Sequence, residues 1–349
     1  MKLGSAGLFA IALLAATAAS QAQNYNITDL GAVPGQAVSK GYAVNDLGQA
    51  TGVSENPHGA IATLFSNGKA SSLGTLEPLD ATIATAINRS GEIVGYEPFS
   101  SDPNNTFHAF LYSNGSMKDI HSASLFPAGT SAEGINASGE VVGQGQFNSW
   151  EFHAFLYSNG RMVDLGPPGS EQASACGIND LGQVVGNYWS TTSGAGVFLY
   201  FNGKISYLGA LGAPPNATPI AFAINSVGRI VGELYFTGAP SHAALYSNGI
   251  WTDLGAIPGA TGTHATSINT ARQVVGISVF PTTSYHPYRP GKHVGFIVHN
   301  GSPIDLNTLI ASNSGFTITD ATGINDSGEI LCDATKSGGS THAVLLTPK

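Results

Sequence analysis

The amino-acid sequence predicts an all-β fold, a seven-bladed β-propeller with four antiparallel strands per blade, and three observations predict it. The motif Ile-Asn-x-x-Gly, usually continued as Glu/Gln-Val/Ile-Val-Gly, recurs with its Asn at Asn45, Asn88, Asn136, Asn179, Asn225, Asn269 and Asn325. Each recurrence carries four short segments rich in β-branched and aromatic residues and bounded by Gly, Asn, Ser or Pro, which is strand patterning and not helix patterning. A fourth-strand motif stands alone near the start of the chain, Tyr25-Asn26-Ile27-Thr28-Asp29-Leu30-Gly31, and the last repeat stops after its third strand at Leu346.

The spacings between the seven Asn residues are 43, 48, 43, 46, 44 and 56, the period of propeller blades. Strand one ends in Ile-Asn, with Val44 in the first repeat. The residues two and four before each Asn are Gly, Ala or Ser, as expected where blades converge on an axis and side chains must shrink. A tight turn such as Asn179-Asp180-Leu181-Gly182 leads into strand two, the Gly-Glu-Val-Val-Gly segment. Strand three is clearest as His-Ala-Phe-Leu-Tyr-Ser-Asn-Gly at His108 and His153, with weaker copies at Ala62, Gly196, His242, Gly295 and His342. Ser-Asn-Gly then turns the chain into strand four, Asp-Leu-Gly, as at Met162 and Trp251. The lone N-terminal motif is expected to complete the seventh blade and close the ring, which removes the exposed edge of an open sheet. In this register Cys176 lies on strand one of the fourth blade and Cys332 on strand two of the seventh, so two free thiols are expected.

The pairing of His-Ala-Phe at 108–110 and 153–155 with Ile-Asn-x-x-Gly resembles the HAF-repeat family of bacterial extracellular proteins. The resemblance spans essentially all of residues 23–349. It implies secretion and a repetitive β-fold, and it brings no established activity. The His-Ala-Phe triplet is intact only twice, and the C-terminal sorting segment of many relatives is missing.

Residues 1–22 read as a secretory signal: Lys2 gives the positive start, Leu8 to Ala16 the apolar stretch, and Ser20-Gln21-Ala22 the cleavage site. The apolar stretch is shorter than the roughly 20 residues that span a bilayer. The expectation is one propeller domain over 23–349, monomeric, without a membrane span, in the periplasm or outside the cell. With 13 Lys+Arg against 22 Asp+Glu, a net charge of −9, a nucleic-acid partner is excluded, because phosphate binding needs a dense basic surface. A hydrophobic content of 42% with only 10% charged residues excludes a disordered acidic chain.

His108, His153, His242 and His342 hold one strand-three position on four blades, too far apart for a shared metal, and read as a repeated structural hydrogen bond. The ring Asn residues and the Asp of Asp-Leu-Gly read as turn residues. No cofactor is expected.

The loops between strands two and three vary while the scaffold repeats, which is where function concentrates on a rigid frame. Their aromatic and polar residues give the expected binding set: Trp150, Trp189, Tyr188, Tyr235, Tyr285, His286 and Tyr288. Exposed aromatics there can stack on sugar rings or anchor a protein, so the expected partner is an extracellular polysaccharide or a cell-surface protein. Others of these aromatics hold the loops down. The alternative is a glycan-cleaving enzyme using carboxylates of the same loops, Glu97 and Glu151 foremost, with Glu55, Glu171 and Glu233 nearby in the pattern. No nucleophile, metalloprotease or nucleotide motif supports catalysis.

Overall fold

The computed structural model describes residues 24–78, 81–99, 101, 106–281 and 291–349, so the segment read as a secretory signal lies outside the described residues. The described chain is built from strands and one 3-10 turn, Leu306–Thr308. Strands fall into four-stranded sets in chain order. Set one is Val38–Val44, Ala50–Asn56, Gly59–Ser66 and Lys69–Ser72; set two is Ile83–Ile87, Ile93–Pro98, Phe107–Ser113 and Ser116–Asp119. Set three is Gly129–Ile135, Val141–Gln146, Phe152–Ser158 and Arg161–Asp164; set four is Gln172–Ile178, Val184–Ser190, Gly194–Phe201 and Lys204–Leu208. Set five is Ala217–Ile224, Ile230–Phe236, Ala239–Ser247 and Ile250–Gly255; set six is Gly262–Ile268, Val274–Phe280, Lys292–His299 and Ser302–Asp305. Set seven is Phe316–Ile324, Ile330–Lys336 and Thr341–Pro348, and takes its fourth strand from the other end of the chain, Tyr25–Asp29, which runs antiparallel to Thr341–Pro348.

Three of the sheets have four strands and two have eight. Each larger sheet is two sets joined by a single parallel bridge, Phe152 to Gln172 in one and Ser241 to Gly262 in the other. The result is a propeller-like, all-β architecture. No helix among the described residues is long and apolar enough to cross a membrane.

The closing Gly of Gly-Glu-Val-Val-Gly has a steric cause. Three residues before each ring Asn, strand one carries an extra residue that breaks the ladder, as between Ala132 and Gly134 or Ala84 and Ala86. Just before that bulge a strand-one carbonyl crowds strand two. A Cβ on Gly143 would sit 2.0 Å from the Ser131 oxygen, and one on Gly95 or Gly232 would sit 1.9 Å from the Ile83 or Ile220 oxygen. In set seven the position is Cys332, and there strand one carries a second irregularity, between Ile318 and Asp320. The small residues of strand one reflect close approach between sets: a Cβ on Gly134 would lie 3.4 Å from the Cα of Gly177.

The seven Asn residues do more than turn the chain. In six of them Oδ1 accepts from the backbone N–H groups two and four residues on, as from Ser90 at 3.0 Å and Glu92 at 2.9 Å for Asn88, while Asn269 accepts from Gln273 four residues on. Nδ2 then donates to the backbone carbonyl of the next ring Asn. Asn45 donates to Asn88, Asn88 to Asn136, Asn136 to Asn179 and Asn179 to Asn225. Asn225 donates to Asn269, Asn269 to Asn325, and Asn325 to the carbonyl of Asn45 at 3.0 Å. All seven are buried.

The repeated His also finds its partner. His108, His153 and His242 pair through Nδ1 with the Asp eleven residues on, Asp119, Asp164 and Asp253, at 2.8–2.9 Å. His342 reaches Asp29 of the N-terminal strand at 2.8 Å. In sets one and four both members are replaced together, by Ile61 with Ser72 and by Gly196 with Tyr207. Set six has Val294 in place of the His, and its Asp305 caps the 3-10 turn instead. The hydrophobic core lies between successive sheets. One cluster joins Val94 and Ala109 of set two to Ala132 and Phe155 of set three, and the next joins Val142 and Ala154 to Ala175 and Phe198 of set four.

Candidate functional site

The alternating strands sort the connections to two ends of the structure. The Asn turns and the Ser-Asn-Gly turns share one end; the two-to-three loops and the connections between sets share the other. At the Asn end a pocket of about 380 Å³ is bordered by Asp46, Asp180 and Asp326. Those carboxylates are occupied in tying turn to turn, accepting from the backbone N–H of Asp326, Ala137 and Thr270 at 3.0, 2.8 and 2.8 Å.

Chemically varied groups gather at the loop end. The bulged residue of strand one is Thr in three sets, and Thr85 and Thr266 donate across to the carbonyls of Ala132 and Ala321 in the next set. In the other four it is Tyr42, Glu133, Cys176 and Phe222. Neighbouring sets bring their polar groups against these. Burial, together with Glu55, Asp333 and Tyr96, pushes the Tyr42 phenol up to about 12. Tyr96 is pushed up by burial and by Glu133. Glu133 and Cys176 reach water yet are walled in by surrounding protein. Burial raises the Glu133 carboxyl against the pull of the Ser131 hydroxyl, and with Glu133 nearby it raises the Cys176 thiol to about 12, which leaves that thiol unreactive. Cys176 and Cys332 are both free.

Charges complete the mouth. Lys40 pairs with Glu55 at 3.2 Å, His293 with Asp320 at 2.8 Å, and His264 with Glu233 at 2.6 Å, the last two pairs linking adjacent sets. Burial works against the Glu233 carboxylate, but His264 and Ser241 hold it below its ordinary value. Asp333 is only 6% exposed and accepts from the Gly41 N–H at 2.8 Å. Burial pushes it up to about 7 with Asp320 adding to the effect, although the Gly41 bond and Lys40 draw it back. Among the described residues, no group of three His, Cys, Asp or Glu could hold a metal ion.

The residues singled out from sequence divide. Trp189 and Tyr235 are 42% and 49% exposed and occupy one register position, ten residues after the ring Asn, on adjacent sets. Gln146 and Glu55 hold the same position in sets three and one. Trp150 is 80% exposed on the outer loop of set three, where its carbonyl accepts from Gln172 of set four. Tyr188 faces the other way, edge-on to Tyr207 at 5.1 Å and against the core between sets three and four. Tyr285, His286 and Tyr288 lie outside the described residues.

The two candidate carboxylates are not brought together. Glu97 is 1% exposed, and its oxygens accept from the N–H groups of Leu76 and Glu77 and from the Thr82 hydroxyl. It fastens the connection between sets one and two and has no path to a substrate. Glu151 is exposed and bonded to Asn148 within its own loop. Several loop aromatics are also structural. Phe99 stacks on His108 at 4.0 Å, and Phe147 and Phe236 meet His153 and His242 edge-on at 5.0 and 5.3 Å, so each covers a His–Asp pair. The bulge residues, which sequence reasoning missed, carried a readable signal: they are the variable position inside an otherwise repetitive strand one.

No protein-family model matches the sequence, and no curated protein matches it. Among solved structures, the chain is similar to the β-propeller domain of the trilobed protease from Pyrococcus furiosus, with TM-score 0.57 and 10% identity over 88% of this chain and 95% of that one. It is similar to a streptogramin B lyase with TM-score 0.52 and 11% identity over 93% and 98% of the two chains. TolB from Acinetobacter baumannii matches at TM-score 0.48 and 11% identity over 86% of this chain, which spans 63% of TolB's length. At these identities the first two likenesses carry the fold, a β-propeller, and nothing about activity.

Proposed function

We propose that this chain is a secreted, seven-bladed propeller of the HAF-repeat type, closed by its N-terminal strand, and that it works as a non-catalytic binding module for extracellular polysaccharide at its loop end. The unbroken series of Asn-to-Asn bonds and the pairing of Tyr25–Asp29 with Thr341–Pro348 support the closed ring. The observation that carries the binding reading is the pair of exposed aromatics, Trp189 and Tyr235, in one register position on adjacent sets, with Gln146 in the same position on the next set. A sugar offers an apolar C–H face and a rim of hydroxyls, and aromatic faces beside carboxamides and carboxylates match both. The glycan-cleaving alternative loses Glu97, which is sequestered in a structural role.

The test is affinity electrophoresis and calorimetry of the purified protein against a panel of soluble and insoluble polysaccharides, with reducing-sugar release measured in the same wells. Binding to at least one polymer, weakened tenfold or more by Trp189→Ala and by Tyr235→Ala and without release, is the expected result. Unchanged affinity in both variants would move the site elsewhere; sugar release would make the protein an enzyme; binding only to a surface protein would replace the ligand class.

A further inference from the structure

Resting on that reading, we propose that the cavity between sets two and three is the subsite that receives one neutral sugar residue, a chain end or side branch, with Tyr96 and Phe107 against its C–H face and Gln144, Gln146 and Glu133 on its hydroxyls. The cavity measures about 210 Å³. That is below the roughly 300–1,000 Å³ of sites for drug-sized ligands, so it takes a monosaccharide unit and not a longer segment of chain.

Its walls differ in chemistry. On one side Tyr96 and Phe107 meet edge to face with centroids 5.6 Å apart, and Phe107 is 48% exposed. On the other, Gln144 and Gln146 alternate along strand two of set three and so point to the same side, opposite Ser131 and Gly129 of strand one. Neither carboxamide bonds a protein group among the described residues. Each offers two donors and an acceptor to vicinal hydroxyls. Glu133 enters from the bulge of strand one, and Ser131 lies beside it.

The backbone shape is specific to this junction. Gly129 has φ +125, and a Cβ there would stand 2.9 Å from the Phe107 carbonyl oxygen, so only glycine lets the entry to set three lie this close to Phe107. The Thr130 hydroxyl is already engaged by the Ala109 N–H at 3.1 Å, which fixes that wall. Among the described residues, no lysine or arginine lines the cavity to hold an acidic sugar, and the walled-in Glu133 disfavours one.

The experiment is saturation-transfer NMR of the purified protein with glucose, galactose, mannose, glucuronic acid and glucosamine, repeated on Gln146→Ala, Phe107→Ala and Trp189→Ala. Melting curves confirm that each variant folds. The expected result is millimolar binding of at least one neutral hexose, weakened tenfold or more by Gln146→Ala and Phe107→Ala and unchanged by Trp189→Ala, which weakens polymer binding alone. Polymer binding with no hexose bound would overturn the subsite and leave the polysaccharide reading standing, whereas loss of both would overturn the two together. Hexose binding indifferent to Gln146→Ala and Phe107→Ala, or a preference for glucuronic acid or glucosamine, would also overturn the proposal.

Discussion

Replacing Asn325 asks whether one buried carboxamide per repeat holds the first and last sets together. Asn325 is buried; its Oδ1 accepts from Ser327 and Glu329 N–H at 3.1 and 2.9 Å, and its Nδ2 donates to Asn45 O at 3.0 Å and to a Glu329 carboxylate oxygen at 2.7 Å. Alanine leaves two turn N–H groups without their protein partner; Ser327 is exposed and its N–H turns to water, so the cost falls chiefly on the Glu329 N–H, about 1–3 kcal/mol. The Asn45 carbonyl keeps the Gly48 N–H at 3.1 Å and adds little. The expected loss is therefore about 2 kcal/mol, a drop of roughly 0.7 M in the urea midpoint if m is about 3 kcal/mol/M. Asn325→Asp is the sharper variant. It keeps the acceptor but sets a carboxylate against the Asn45 carbonyl and Glu329, and its protonated form donates again. Its deficit should be large at pH 7.5 and shrink toward pH 4. Urea unfolding followed by tryptophan fluorescence and circular dichroism measures both. An alanine variant within about 0.5 kcal/mol of the parent would refute the turn-capping role of Oδ1, and an aspartate variant indifferent to pH would refute the argument that the Nδ2 bond joins set seven to set one.

Three further outcomes follow from the geometry. Because the folded chain keeps on Asp333 a proton that the unfolded chain releases near its ordinary value of 3.8, stability should fall as pH rises from about 4 to about 7; Asp333→Asn keeps the acceptor for Gly41 and should raise stability at pH 8 by up to about 4 kcal/mol, read from denaturant melts across pH. The hydrogen bond to Asp164 raises His153 above its ordinary value although burial opposes it, and His153 and Gly166 hold Asp164 below its own, so the pair's stabilisation is full from about pH 4 to 6.5 and is lost as pH rises further; an NMR titration should show the His153 midpoint fall in Asp164→Asn. Gly143→Ala puts a Cβ 2.0 Å from the Ser131 oxygen and should lower the melting midpoint by at least the equivalent of about 1–3 kcal/mol, while Gly209→Ser, with nothing near its Cβ, should cost less.

How much was legible in the sequence follows from what repeats. Four strands per period, their order and the orphan strand near the N-terminus could be read because each turn needs Asn or Gly at a fixed place and each strand alternates. The cause of the Val-Val-Gly glycine could not, since a one-residue bulge leaves no mark on composition. The pairing of His with Asp could have been read from the joint loss of both in sets one and four, eleven residues apart, yet each residue viewed alone is adequately explained as a strand start or a turn. Phe99, Phe147 and Phe236 sit where a ligand contact was expected, but the sequence does not say which face of a loop an aromatic turns to, and these turn inward onto the histidines.

The same logic separates scaffold from site. At the position three before each ring Asn, sets two, six and seven keep Thr, and the hydroxyls of Thr85 and Thr266 stitch one set to the next. Where Tyr42, Glu133, Cys176 and Phe222 replace it, that bond is absent, and the Asn series, the intervening core and particular side chains take over, as Asn187 does between sets four and five and Glu233 with His264 between sets five and six. A repeat that relinquishes a stabilising bond at one position in four of its sets, and fills it with a phenol, a carboxyl, a thiol and a phenyl ring, concentrates its chemical variety at that position. Restoring the scaffold residue there, Glu133→Thr, should therefore leave the protein at least as stable by thermal melting while weakening any ligand held in the cavity between sets two and three; a clear loss of stability would mean that Glu133 is itself structural.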